Sequence, residues 1–211
     1  MIRILIADDH AIVRAGLKQL VQDTPDIMVA GEAANGWEVL ELVREQSWDL
    51  VLLDLSMPGR GGMETLKRIK RQAPDLPVLI LSIYPEDQYA VRALKDGASG
   101  YLTKETDPDE LMIAIRKAAG GGTYVSRTLG EKLAVNLNSF DSTAPPHQAL
   151  SDRELEVMLM LASGKTVTQV AEELSLSVKT ISTNRARLLR KMGMSTNTDL
   201  AYYAVKQGLL D

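Results

Sequence analysis

Residues 50–62 read LVLLDLSMPGRGG. The first four are apolar without a break, as expected of a strand buried on both faces of a parallel sheet. Asp54 follows at once, and Pro58, Gly59, Gly61 and Gly62 then interrupt the chain. A carboxylate therefore stands at the mouth of an oily strand, where the backbone turns. A single aspartate in such a place is commonly no more than a cap for its turn. Its reading depends on what stands at the ends of the other strands.

Working outward, Ile2–Ala7, Met28–Ala33, Leu50–Leu55, Val78–Ile83 and Gly100–Leu102 read as five strands. Helical patterns lie between and after them, at about 11–24, 36–46, 62–72, 86–96 and 107–119. Asp107, Pro108 and Glu110 supply N-cap, first-turn proline and capping-box partner for the last. This alternation predicts an α/β fold, a doubly wound five-stranded parallel sheet with helices on both faces. Ligands bind such sheets outside the carboxyl ends of the strands.

Asp8 and Asp9 follow the first strand and Asp54 ends the third. Ser82 closes the fourth and Lys104 follows the fifth. None of the five falls at an opposite strand end. Taken singly each is ordinary: a turn cap, a satisfied hydroxyl, a solvated lysine. In the order 2-1-3-4-5 strands one and three are neighbours, and the three carboxylates converge and repel. Magnesium suits a site of carboxylates, one backbone carbonyl and waters. Such a metal favours phosphate, and a carboxylate nucleophile can form an aspartyl phosphate. The turn position should leave an Asp54 oxygen exposed to a phosphodonor.

The alternation stops at Gly120-Gly121-Gly122. Residues 123–137 read as a possible helix, and NSFDSTAPPHQA, 138–149, as a linker. The expected layout is 1–120, a linker over 121–148 with a possible helix, and 149–211. The last part is all helical. Ser151…Glu154 and Thr166…Gln169 are capping boxes, Ser177 is the next N-cap, and Gly164, Gly193 and Gly208 are stops. Two helices joined by a tight turn, the second basic, match helix-turn-helix DNA binding. On the basic helix, Val178, Ile181, Leu188 and Met192 should form the core face.

The net charge of −4 hides an asymmetry. Residues 1–120 hold 14 Lys and Arg against 19 Asp and Glu, while 150–211 hold 8 against 7. Residues 178–192 carry Lys179, Arg185, Arg187, Arg190 and Lys191 and no acid. Such a cluster is common on a solvated helix face, and the preceding helix and turn shift the reading towards nucleic acid. The absence of cysteine excludes disulfide and thiolate chemistry. No run approaches the roughly 18 apolar residues of a spanning helix, and the N-terminus lacks the pattern of a signal peptide. A cytoplasmic protein with no membrane partner is expected.

IADDH, LLDLSMPGRGG, LSIY and GYLTK together resemble the receiver domain of bacterial two-component response regulators, over about residues 1–120. The stretch LSDRELEVMLMLASGKTVTQVAEELSLSVKTISTNRARLLRKMG resembles the LuxR-type four-helix DNA-binding domain. The whole chain is similar to the NarL/FixJ subfamily. The resemblance implies Asp54 as phosphoacceptor, and Asp8, Asp9, Asp54 and the backbone carbonyl of Ser56 as Mg2+ ligands. It implies Ser82 and Lys104 as phosphoryl contacts, and Tyr101 as an aromatic switch that turns inward when Ser82 moves. It makes Lys179, Ser182, Thr183, Arg185, Arg187 and Lys191 candidates for DNA contact, with Arg185 equally placed to tie helices together. Implied partners are a sensor histidine kinase, double-stranded DNA, RNA polymerase and, when phosphorylated or DNA-bound, a second copy of the chain. Two positions depart from the family: Glu105, where many receivers carry proline, and Asn184, where histidine or tyrosine is frequent.

His10 reads as the start of the first helix, since hard magnesium prefers oxygen. His147 reads as a solvated linker residue, Met158 and Met160 as core filler, and Trp37 and Trp48 as packing at the ends of one helix. The glycines at 59, 61 and 62 lack the lysine of a phosphate-binding loop. A phosphorylation-controlled transcription regulator, not an enzyme, is the reading favoured. A magnesium-dependent phosphatase would need a second acid two residues after its nucleophile, and Ser56 stands there. A regulator independent of phosphate would not need the acidic trio, Ser82 and Lys104.

Overall fold

The computed structural model describes residues 1–22, 24–59, 61–131 and 145–210. The chain divides into two compact units, Met1–Leu137 and Asn138–Asp211. In the first, β1 (Ile2–Ala7), α1 (Ala11–Gln22), β2 (Ile27–Ala33), α2 (Gly36–Glu45) and β3 (Leu50–Leu53) alternate. They continue with α3 (Gly62–Gln72), β4 (Val78–Ser82), α4 (Glu86–Lys95), β5 (Gly100–Thr103) and α5 (Pro108–Ala119). The sheet is parallel with strand order β2-β1-β3-β4-β5. All four residues of β3 are buried, which is why its sequence is oily throughout. Ile4, Ile6, Leu50, Leu52, Leu79 and Leu102 pack in one cluster with Leu17 and Val21 of α1 and Leu111 and Ile115 of α5. Each such side chain contributes roughly 1.5–3 kcal/mol when fully buried.

Register brings the strand ends level. Ala7 pairs with Leu53 and Asp54 N–H donates to Ala7 O at 2.8 Å. Ser82 pairs with Thr103, and Lys104 N–H donates to Ser82 O at 2.8 Å. Gly62 allows α3 to start directly against this rim. A Cβ there would stand 2.2 Å from Asp54 O and 2.6 Å from Leu55 Cα.

Beyond α5 the possible helix over 123–137 starts later than expected, at residue 127. Tyr124 instead lies parallel to Gly100 at the edge of β5 and is buried. Helix is present over 127–131; 132–137 and most of the linker lie outside the described residues. The expected capping box of α5 is also not made. Asp107 accepts from Asp109 N–H, while the Glu110 carboxylate accepts the Tyr124 hydroxyl.

In the second unit a short 3-10 turn (Pro146–Ala149) leads into α6 (Asp152–Ala162), α7 (Val167–Glu173), α8 (Val178–Met192) and α9 (Asn197–Lys206). α6 is buried nearly all round, Met158 and Met160 included. Both expected capping boxes are complete, and Thr196 with Asp199 forms a third. Gly193 ends α8 in the left-handed region, φ 66°. Ser175, in the turn between α7 and α8, has φ 52°. The core face of α8 is Ile181, Leu188, Leu189 and Met192. Val178, expected among them, is 48% exposed because it occupies the first turn, beyond the packing partners.

Two further expectations change. Trp48 is buried and its indole N–H donates to Leu42 O at 2.9 Å, but Trp37 is 60% exposed. His147 is not simply solvated, since its Nδ1 lies 2.8 Å from the Tyr203 hydroxyl. Among the described residues no helix is long and apolar enough to cross a membrane.

Candidate functional site

Asp8, Asp9 and Asp54 each offer a carboxylate oxygen, and these lie within 4.8 Å of one another and of a His10 ring nitrogen. The register of β1 on β3 produces this meeting. The Asp54 side chain has no exposed area, and that of Asp8 is 3% exposed. Lys104 bridges them, with Nζ 2.7 Å from Asp8 Oδ2 and 2.9 Å from Asp54 Oδ2. The expectation of an exposed Asp54 oxygen therefore fails in this state, because the ammonium and the β3–α3 turn cover the carboxylate. Asp54 Oδ1 accepts the Ser56 N–H at 3.2 Å.

Burial raises the Asp54 carboxyl above its usual range. Lys104 opposes this without cancelling it, and the negative Asp8 adds to it. Burial alone would lower the Lys104 ammonium, but Asp54 and Asp8 outweigh it and hold Lys104 above its ordinary value. Three carboxylates and one ammonium leave a formal charge of −2, which one divalent cation would neutralise. Asp9 Oδ1 is buried without a hydrogen bond, its ion-pair contact being His10 Nδ1 at 2.9 Å. A donor set of three converging carboxylates, one of whose oxygens, Asp9 Oδ1, accepts no hydrogen bond, fits Mg2+. Arg14 braces the turn that carries the acids. It donates to Asp8 O at 2.6 Å and pairs with Glu32 at 3.2 Å.

Ser82 is buried, and its Oγ accepts the Tyr84 N–H at 3.2 Å. Tyr101 is fully buried and points inward, its hydroxyl donating to Tyr84 O at 2.8 Å. Burial, aided by the charges of Asp54 and Glu86, pushes its phenol far above the usual range although Ser82 pulls the other way. The site serine and the aromatic ring thus meet on one loop, 82–85.

On α8, Lys179, Ser182, Thr183 and Arg187 are exposed. The Thr183 hydroxyl bonds back to Lys179 O at 2.9 Å. Arg185 Nε donates to Asn197 Oδ1 at 2.7 Å, tying α8 to α9. Lys191 is also exposed, its side chain 39% accessible, yet its Nζ lies 2.5 Å from Oε2 of Glu154, whose side chain is 4% exposed. Sequence spacing put Lys191 beside the other cations, but its ammonium serves a buried acid on α6. Arg153 does similar work: it pairs with Glu156 at 2.6 Å and donates to Leu174 O at 3.3 Å, at the end of α7.

The profile of the response regulator receiver domain matches residues 4–116. That of the bacterial regulatory proteins of the luxR family matches residues 148–204. Response regulator UvrY of Escherichia coli (strain K12) is 35% identical over 209 residues, covering 99% of this chain and 96% of its own. The chain belongs to the response regulator family. Response regulator GacA of Pseudomonas aeruginosa is also 35% identical, over 100% of this chain and 99% of its own. A solved structure of RcsB from Salmonella enterica serovar Typhimurium, bound to promoter rprA in the presence of the phosphomimetic BeF3−, is similar with TM-score 0.67 and 26% identity. That match covers 97% of this chain and 99% of RcsB. This response regulator thus joins a receiver to a LuxR-type domain, the NarL/FixJ arrangement. At the acidic pocket, His10 reads in the sequence as the start of the first helix, yet its ring nitrogen lies 2.9 Å from Asp9 Oδ1, and Arg14 is passed over. Arg14 stands six residues after Asp8, three before the buried Leu17, and its side chain is 17% exposed; periodicity alone gave it no role.

Proposed function

We propose that Asp54 accepts a phosphoryl group from a sensor histidine kinase and that its charge controls sequence-specific DNA binding by α8. The supporting observation is the convergence of Asp8, Asp9, Asp54 and Lys104 on one rim, with Ser82 closing the adjacent strand. Asp8, Asp9, Asp54 and the Ser56 carbonyl would hold Mg2+, which when bound offsets charge on the phosphoryl oxygens and orients them. An Asp54 oxygen attacks phosphorus in line. The bond from phosphorus to the donor's imidazole nitrogen breaks as the aspartyl bond forms. Lys104 leaves Asp54 Oδ2 for a phosphoryl oxygen, and the Ser82 hydroxyl donates to another. The added charge, about −2, draws on loop 82–85, where Ser82 and Tyr101 already meet.

Lys179 and Arg187 reach phosphates from the exposed face of α8, and Ser182 and Thr183 face the base edges. With its hydroxyl returned to the helix, Thr183 offers a methyl group, suited to a thymine methyl. Arg185 and Lys191 act as braces in the free protein. The protein works in the cytoplasm, as a homodimer on two half-sites, with RNA polymerase as downstream partner. Labelling with acetyl phosphate and Mg2+ tests the acceptor. Asp54→Asn abolishes labelling, and labelling that persists would move the acceptor elsewhere.

A further inference from the structure

The chain leaving α5 does not depart into solvent. Tyr124 N–H donates to Ser99 O at 2.7 Å, and Tyr124 lies parallel to Gly100, one residue before the switch residue Tyr101. Gly100 permits the approach, since a Cβ there would stand 2.9 Å from Tyr124 O and 3.0 Å from Tyr124 Cβ. Two residues on, the Ser126 hydroxyl makes two bonds. It accepts Leu129 N–H at 3.1 Å, capping the helical stretch 127–131, and donates to Glu86 Oε2 at 2.7 Å. Leu129 is buried. Glu86 is the first residue of α4, which has no side-chain cap of its own. It follows Tyr84 and Pro85, and Tyr84 O holds the Tyr101 hydroxyl. The Glu86 charge bears on both the Tyr101 and the Tyr124 phenols.

We infer that Ser126, through Glu86, couples the loop carrying Ser82 and Tyr84 to the helix that leads out of the receiver. The inference rests on phosphorylation at Asp54. When the phosphoryl group draws on Ser82, loop 82–85 shifts and Glu86 moves with it. The Ser126 hydroxyl then gains or loses its acceptor, and the first turn of the 127–131 helix tightens or loosens. One short side chain thereby carries the state of the pocket to the connection towards the DNA-binding half.

Hydrogen exchange on the full-length protein, with and without Mg2+ and BeF3−, tests this. In the wild type, amides of 82–86 and of Leu129 and Gly130 should change together, the latter by about fivefold. Glu86→Ala leaves the Ser126 cap in place, so it keeps the response of 82–85 and reduces that of Leu129 and Gly130 below about twofold. Ser126→Thr should retain the distant response and Ser126→Ala lose it. Response of 82–85 without Leu129 and Gly130 in the wild type, or a wild-type response in Glu86→Ala, overturns the coupling. Silence of the whole pocket, residues 50–90, in the wild type overturns the phosphorylation reading and the coupling with it.

Discussion

Lys191→Ala separates a DNA contact from an internal brace. Lys191 Nζ lies 2.5 Å from Glu154 Oε2, and that oxygen also accepts Ser151 N–H at 2.9 Å and Ser151 Oγ at 3.0 Å. Removing the ammonium therefore does not orphan the carboxylate; one charge-assisted hydrogen bond is lost, with part of the lysine stem's packing. The expected cost is about 1–2 kcal/mol, which in a small unit lowers the melting temperature by roughly 5–15 °C. Burial alone would raise the Glu154 carboxyl, but the bonds from Lys191 and Ser151 bring it below its ordinary value. A depressed carboxyl stabilises the fold above its unfolded pKa, and that contribution is lost as pH falls through the folded value. The gap between Lys191→Ala and wild type should therefore be full at neutral pH and narrow in acid. Calorimetry of the full chain across pH measures it. In parallel, binding to nonspecific duplex DNA is measured against salt. Arg187→Ala should lower the slope by about one phosphate contact and Lys191→Ala leave it unchanged. A Lys191→Ala protein of wild-type stability whose slope falls by one would refute the brace.

Gly62→Ala drives a Cβ into the backbone of Asp54 and Leu55, where no rotamer change gives relief. It should cost about 1–3 kcal/mol or more and slow labelling by acetyl phosphate; calorimetry and labelling at wild-type values would contradict this. Burial keeps the metal-free Asp54 carboxyl raised, so its stabilising protonated form is fully populated below the unfolded pKa and lost as pH rises through the folded one. In EDTA at neutral pH, Asp54→Asn should therefore melt above wild type, the two converging in acid, and Mg2+ should favour wild type. Thermal scans check the order, and a less stable Asp54→Asn protein in EDTA would count against it.

Most of the architecture was legible because its signals are local. The oily run of β3, the Ser151 and Thr166 capping boxes and the glycine after α8 each act within a few residues, and each forms as written. The strand order 2-1-3-4-5 was an expectation carried by the receiver resemblance, and the sheet has it; the carboxylates at the ends of strands one and three agree with it without singling it out. Distant partners were not legible. Glu110 at the third position of α5 looks like a capping-box residue, and Tyr124 takes it by laying the chain across Gly100. Lys191 is exposed like the other cations of its helix, and a buried acid on α6, thirty-seven residues away in sequence, still pairs with it. The cover over Asp54 could not be read either, since strand spacing fixes where a carboxylate stands and not what a lysine across the rim does with it.

Trp48 and Trp37 are the chain's two indoles and both lie in the receiver, one enclosed and one largely open to water. Residues 149–211 carry no tryptophan and two tyrosines, Tyr202 and Tyr203. Nature has thus given the two halves different colours. Selective indole excitation therefore reports on the receiver alone, and any change it shows on adding nucleic acid must have travelled back along the chain.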